Sequence, residues 1–297
     1  MNHEVSLPDE KDVRFFEEKG YCRAGRWLSD AELEALRRAH REVLAGRYET
    51  GRAPYARDWN PGEPRRALHT VDNSHWANRA IRRLMDNPLL GESAARLMRT
   101  PEVRLWQDQL FEQPGQVPAD KNQVASVGWR QNALSWRCTV FDLITAWVAL
   151  DDVAQERGCL QVVPESHRWG LFEESDFSGA SRYAPSGLLE ESGSTLKRQA
   201  AARAGREWSV VSCELKAGEV VFSHCLMIQG FSAHLGDRSR GWLAVHLQPA
   251  HAYYVPGTAD DGHMNVVLLR RSGGHAGDLF RGEAWPVLCP RGTPKSH

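Results

Sequence analysis

The 297-residue sequence is short of several features that would each mark a class of protein. It lacks charge of one sign: 37 Lys and Arg stand against 38 Asp and Glu, a formal net charge of -1. That removes the electrostatic case for nucleic acid or an anionic membrane surface as partner. Cysteine is sparse and unpatterned. Cys22, Cys138, Cys159, Cys213, Cys225 and Cys289 make no C-x-x-C pair and no zinc-type spacing, so they read as reduced, buried small hydrophobes of a cytoplasmic protein. No apolar run approaches the length that spans a bilayer. The opening Met1-Asn2-His3-Glu4-Val5 has no basic region followed by an apolar stretch, so no signal peptide is expected. There is no G-x-G-x-x-G after a strand to cradle a nucleotide or flavin, and no internal repeat or low-complexity tract.

What the chain does have is tryptophan. Eleven indoles bring large apolar rings with one donor each, suited to a core or to the wall of a cavity for an organic ligand. A single domain over 1–297 is expected, with N-terminal helices to about residue 100, a strand-rich core over about 101–250 and an extension over 251–297. Asp12 to Gly20 reads as a short opening helix. Ser29-Asp30-Ala31-Glu32 is a capping box, followed by Leu33, Leu36, Val43 and Leu44 on one helical face that ends at Gly46. The polar, Arg- and Pro-rich stretch 51–73 reads as a loop. Helices follow over His75 to Met85 and from Asn87-Pro88 to Met98, the latter with Pro at its first helical position. From Val103 the period becomes that of strands, with a long one over Val140 to Leu150, a hairpin-like pair about Lys216-Ala217-Gly218 and a closing strand over Trp242 to Gln248. Asp151-Asp152 reads as a turn cap. The stretch 171–207 is an insertion of lid-like length.

Three stretches carry the chemistry. The first is Gly128-Trp129-Arg130-Gln131-Asn132; the second is Thr145-Ala146-Trp147-Val148-Ala149-Leu150-Asp151-Asp152 with Gly158-Cys159-Leu160 and Pro164-Glu165-Ser166-His167. The third is Gly218-Glu219-Val220-Val221-Phe222-Ser223-His224, leading to Gln229-Gly230 and Arg240. Together they resemble the phytanoyl-CoA dioxygenase-like family of iron(II)/2-oxoglutarate oxygenases. That family has a W-H-x-D segment, a T-A-W-x-A-L-D-D strand, a P-G-S-H turn and a distal His. The resemblance implies a mainly β fold with flanking helices, a double-stranded β-helix of the jelly-roll, cupin-like kind. It places Arg130, Asn132 and Gln229 at the three iron-ligand positions, and Arg240 where the family's Arg grips the far carboxylate of 2-oxoglutarate. Gln113 stands where a co-substrate Lys is usual, and Glu165 replaces the turn Gly.

The substitutions redirect the expected function. A facial triad needs two imidazoles and a carboxylate around open positions. Arg has no acceptor and stays protonated. Iron and 2-oxoglutarate are therefore both expected to be lost, with no metal ligand remaining. A different triad from His224, His246 and Asp142 has no supporting spacing. Arg130, Asn132 and Gln229 instead form a cluster able to hold a carbonyl, enolate or carboxylate and to stabilise developing negative charge. The opposing possibility is that Arg130 is closed off by an acid such as Asp108. On strand alternation Arg240, Trp242, Ala244 and His246 share a face, which makes His246 a candidate acid or base. Trp129, Trp147, Arg240 and His224 are the expected substrate-binding residues. The reading is a metal-independent, redox-neutral enzyme of cyclase, isomerase or lyase type, acting on a hydrophobic oxygenated small molecule in secondary metabolism. Two alternatives stay open: a non-catalytic protein that binds a ligand or partner, and an oxygenase with unusual ligands.

Overall fold

A computed structural model describes residues 7–63, 68–115, 127–172, 202 and 205–290. Most of the expected insertion over 171–207 lies outside the described residues. The chain opens with helix α1 (Glu10–Lys19), capped by Asp9, whose side chain accepts from the Lys11 and Asp12 amides, and closed by Gly20 at φ 79°. Strand β1 (Tyr21–Arg26) and helix α2 (Asp30–Leu44) follow. The Ser29 hydroxyl and Glu32 carboxylate form the expected capping box, and Leu33, Leu36, Val43 and Leu44 are buried as the 3.6-residue period requires.

The stretch expected to be a loop is not one throughout. It contains β2 (Ala56–Arg57) and β3 (His69–Asp72), where buried His69 and Val71 alternate with half-buried Thr70 and Asp72. Strands this short, set among Arg and Pro, carry too few residues for the period-two pattern to stand out. A 3-10 turn (Ser74–Trp76) separates them from α3 (Arg79–Met85), and α4 (Pro88–Leu97) begins at the Asn87 cap with Pro at its first position.

The remaining strands are β4 (Val103–Gln113), β5 (Val127–Arg130), β6 (Ile144–Ala149), β7 (Leu160–Val162), β8 (Val211–Cys213), β9 (Glu219–His224), β10 (Gln229–Phe231), β11 (Arg240–Pro249) and β12 (Val287–Cys289); helix α5 (Met264–Arg271) lies before the last. They form two sheets. The larger runs β1-β9-β6-β11-β4-β3-β2, with β12 also on β4; the smaller runs β5-β10-β7-β8. The pairings are antiparallel throughout. These are the two facing sheets of a double-stranded β-helix, and no ladder closes them into a barrel among the described residues. The expected hairpin about Lys216 is a crossover instead: β8 pairs with β7 in the small sheet, whereas β9 pairs with β1 and β6 in the large one.

Each face of the large sheet has its own core. Leu110, Ile144, Ala146, Val148, Val220, Phe222, Leu243, Val245 and Leu247 pack against the apolar stripes of α1 to α4. Phe111, Trp147, Ala149, Val221, Trp242 and Ala244 face Leu160, Val162, Cys213 and Phe231 of the small sheet. Between His246 and Leu247 the β11-β4 register shifts, so that His246 opposes Gln107 and Leu247 opposes Leu105. Trp106 is the extra residue of this bulge, and beyond it the face of each β4 side chain is exchanged. Gln107, Gln109, Phe111 and Gln113 thereby share the face turned to the small sheet. The same arithmetic puts Arg240, Trp242, Ala244 and His246 on that face, as strand alternation had implied.

Candidate active site

Arg130 ends β5 and lies directly across the ladder from Gln229, the first residue of β10. Directly opposed residues of an antiparallel pair send their side chains to the same face. Asn132 follows in the 3-10 turn Asn132–Ser135, so the three expected positions come together at one end of the small sheet. Of the three, Arg130 and Asn132 front a cavity of about 230 Å³, lined also by Asp72, Gln107, Gln109, Phe111 and Trp136, and by His263 and Met264 from the C-terminal segment. That segment, outside the resemblance, thus supplies part of the wall.

A directional hydrogen-bond chain runs behind the wall. Gln109 Nε2 donates to Asp72 Oδ1 at 2.7 Å, which turns Gln109 Oε1 toward His246. His246 must then carry its hydrogen on Nε2, 3.0 Å from that oxygen, leaving Nδ1 as an acceptor. The Thr145 hydroxyl, 2.8 Å away, supplies the hydrogen to Nδ1, and its own oxygen accepts from Asn132 Nδ2 at 3.1 Å. Every donor in the chain meets an acceptor only if Asn132 keeps its carbonyl oxygen off Thr145. Asn132 therefore contributes an acceptor to the cavity, beside the donors of Arg130.

His246 does not touch the cavity. It is 1% exposed, with Trp136 packed edge-on at 4.7 Å between ring centres. Burial, and the nearby Arg130 charge, push its pKa down to about 3. The expectation of a substrate-facing acid or base is corrected: this neutral ring orients its neighbours.

Other expected residues also sit elsewhere. Gln229 is 1% exposed, and neither its amide oxygen nor its nitrogen has a hydrogen-bond partner among the described residues. Trp129, one residue before Arg130 and so on the opposite face of β5, packs with Leu134, Val163, Phe172 and Ile228, its ring against Trp208. Trp147 is fully buried, donates to Ser223 Oγ at 3.0 Å and supports the Phe111 and Phe231 rings without lining the cavity. His224 is on the helix face of β9, in register with Val220 and Phe222, and opens on a separate concavity with Phe16, Leu97 and His167. The proposed partner of Arg130 is committed elsewhere: Asp108 accepts from the backbone and side chains of Ser74 and His75. Glu165, at φ 68°, is ion-paired to Lys19 of α1 at 2.6 Å and not at the cavity.

Arg240 is buried at the far end of the same face. Its Nη2 donates to Gln113 Oε1, Gly158 leaves the room its guanidinium occupies, and the Phe231 and Trp242 rings lie 5.5 and 5.4 Å from it. Nε and Nη1 have no partner among the described residues, and burial pulls the pKa down to about 9. A buried cation with two idle donors is suited to a small oxyanion.

The side chains at Arg130, Asn132 and Gln229 differ in chemistry from the imidazoles and carboxylate of a facial triad. One of the three side chains has no lone pair to give, another has its nitrogen end tied to Thr145, and none is an imidazole or a carboxylate. Among the described residues no group of three or more His, Cys, Asp or Glu is placed to hold a metal ion. The substitute triad is not assembled either: Asp142 pairs with His251 at 2.9 Å on the surface, and His224 and His246 lie on opposite faces of the large sheet. Sequence reasoning missed Asp72, Gln107, Gln109 and Thr145. The spacing of Gln107, Gln109 and Gln113 was the available signal, since polar residues every second position in a buried strand must line something polar.

The phytanoyl-CoA dioxygenase family model matches residues 16–241. Among solved structures, the chain superposes on the non-heme alpha ketoglutarate dependent carbocyclase SnoK from nogalamycin biosynthesis with a TM-score of 0.68 and 25% identity, covering 95% of this chain and 96% of that one. The epimerase SnoN, also from nogalamycin biosynthesis, gives 0.65 at 20% identity over 94% and 98%. EctD from S. alaskensis, solved with bound iron, gives 0.62 at 17% over 86% and 81%. The last two likenesses concern the fold alone. No curated protein shows a significant match to the sequence.

Proposed function

The chain belongs to the phytanoyl-CoA dioxygenase family, and from that premise we propose that it is a metal-independent, redox-neutral enzyme of cyclase or isomerase type on the family's scaffold. The observation that carries the reading is the pairing of Arg130 with Gln229 beside Asn132. A guanidinium and an amide, Arg130 and Asn132, line a polar cavity, with the Gln229 amide across the ladder from Arg130. Fixed donors aimed at an oxygen that gains charge in the transition state can lower a barrier without redox chemistry. The likeness to a carbocyclase of nogalamycin biosynthesis supports an oxygenated, ring-forming secondary metabolite as substrate. The cavity, with Phe111 and Trp136 beside Gln107 and Gln109, has the mixed wall such a molecule would require.

Purified protein is expected to contain no stoichiometric iron and to turn over in the presence of EDTA without consuming oxygen or 2-oxoglutarate. One tightly bound iron per chain, with chelator-sensitive release of succinate, would return the oxygenase reading. Intact ligand binding without any turnover would support the non-catalytic one. The triple variant Arg130→His, Asn132→Asp, Gln229→His is expected to leave the native reaction no faster.

A further inference from the structure

Among the described residues that line the cavity there is one acid, Asp72, and one cation of the Lys or Arg type, Arg130. They come from different sheets: Asp72 ends β3 opposite Gln109 of β4, and Arg130 ends β5. A carboxylate and a guanidinium that line one cavity of about 230 Å³ can act on one molecule at two of its atoms. Asp72 is also held in place. Gln109 Nε2 fixes one of its oxygens at 2.7 Å, and Gln109 is itself oriented through His246 and Thr145 by Asn132. The five residues make one rigid strut between the acid and the substituted ligand position, and its polarity is set throughout. The strut keeps the carboxylate and the Arg130 corner at a constant separation, as a proton transfer coupled to charge stabilisation requires.

We propose that Asp72 is the proton acceptor of the reaction: it takes a proton from a carbon next to a substrate carbonyl while Arg130 holds the enolate oxygen that forms. The proposal rests on the redox-neutral reading and names the substrate class, a carbonyl compound with an acidic C–H. The step balances within the substrate and one carboxylate. The C–H bond breaks and its electron pair becomes the second bond of the enolate carbon pair. The carbonyl π pair moves onto oxygen beside Arg130, and the proton forms an O–H bond on Asp72. Return of the proton to another carbon, or to the opposite face of the same one, gives an isomer with no oxidant, reductant or co-reactant. Asn132, whose carbonyl oxygen is left for the cavity, accepts from a hydroxyl next to the reacting group and fixes which face is presented.

The test uses 4-nitrophenolate, a planar conjugated oxyanion that mimics the enolate and reports its ionisation by visible absorbance. A proton acceptor carries the transferred proton in the enolate complex and not before it. Asp72→Asn copies the protonated form and should bind 4-nitrophenolate at least roughly tenfold more tightly than the unmodified protein, because a carboxylate that shares the cavity with the oxyanion is replaced by a neutral amide. Asp72→Ser, which also keeps an acceptor for Gln109, should do the same. Arg130→Ala should weaken binding by a similar factor. Binding by Asp72→Asn and Asp72→Ser that equals or falls below that of the unmodified protein, or no binding by any of them, overturns the assignment. Metal and succinate analysis of the same preparations keeps the two ideas separate. Iron-dependent succinate release defeats the redox-neutral reading whatever the phenolate data, whereas unchanged phenolate affinity in metal-free protein defeats only the role of Asp72.

Discussion

At the scale of single residues the unusual feature is polarity left idle inside the molecule. Gln229 buries both ends of its amide without a hydrogen bond among the described residues, and Arg240 leaves two of its nitrogens in the same state. A buried polar group without a partner costs on the order of 1–3 kcal/mol, so such groups persist where a ligand completes them or where function outweighs stability. Gln229→Met, close in volume and apolar, is therefore expected to raise the free energy of unfolding by about 1–2 kcal/mol, read from urea denaturation. A loss of stability would mean that the amide is bonded in solution. Turnover should move the other way. Arg130→Ala, which removes a donor lining the cavity, should slow the reaction by roughly 100- to 1,000-fold with the fold retained by circular dichroism, and Gln229→Ala, across the ladder from it, should slow it too.

At the scale of elements, each strand end that matters is positioned by a local irregularity. The bulge at Trp106 turns Gln107 and Gln109 to the cavity, and the turn between β6 and β7 makes room for Arg240 through Gly158 at φ 69°. A β-carbon at Gly158 would overlap the Arg240 guanidinium. Gly158→Ala should consequently cost at least about 1–2 kcal/mol from the left-handed backbone alone, seen as a lower thermal midpoint. An unchanged midpoint would show that the backbone at 158 leaves the left-handed region and that the guanidinium gives way without cost. These irregularities also mark where the sequence stopped being legible. Helix starts at Ser29 and Asn87 were readable because a cap is a local side-chain bond. The inward face of β11 was readable because alternation is arithmetic. The bulge in β4, the brief pairing of β3 and the crossing of the chain between β8 and β9 depend on partners far along the chain. Their consequences, Asp72 and the paired glutamines in the wall, were therefore missed. Trp129 and His224 were expected at the cavity without that arithmetic; each points to the other face of its strand, Trp129 into the cluster with Leu134 and Val163 and His224 to the helix face of β9.

At the scale of the whole molecule, buried neutral histidine sets the response to acid. Burial holds His40, His167, His224, His234, His246 and His263 below their ordinary value of 6.5, with His224 and His263 near 4 and His246 near 3. They are spread through the helix layer, the sheet interior and the C-terminal segment, so protonating them favours loss of the whole fold rather than of one corner. The sign follows from proton counts. Between the folded and unfolded pKa values the unfolded chain binds more protons, so stability is complete above pH 6.5 and declines as pH falls through the window down to about 3–4. Each such group contributes a slope of about 1.4 kcal/mol per pH unit while it lies between its two values. Carboxylates held low by hydrogen bonds, such as Glu17, Glu32 and Asp152, add their loss only below their ordinary values of 4.5 and 3.8. The interval from pH 6 to 5 therefore belongs mainly to histidine. His246→Gln keeps a donor and an acceptor between Thr145 and Gln109 but cannot titrate. Its unfolding free energy, measured by denaturant titration at pH 6 and 5, should fall with acid less steeply than that of the unmodified protein, by about one proton's share. An identical slope would mean that His246 is already protonated in the fold, and the hydrogen-bond chain from Asn132 to Asp72 would then have to run with a different polarity.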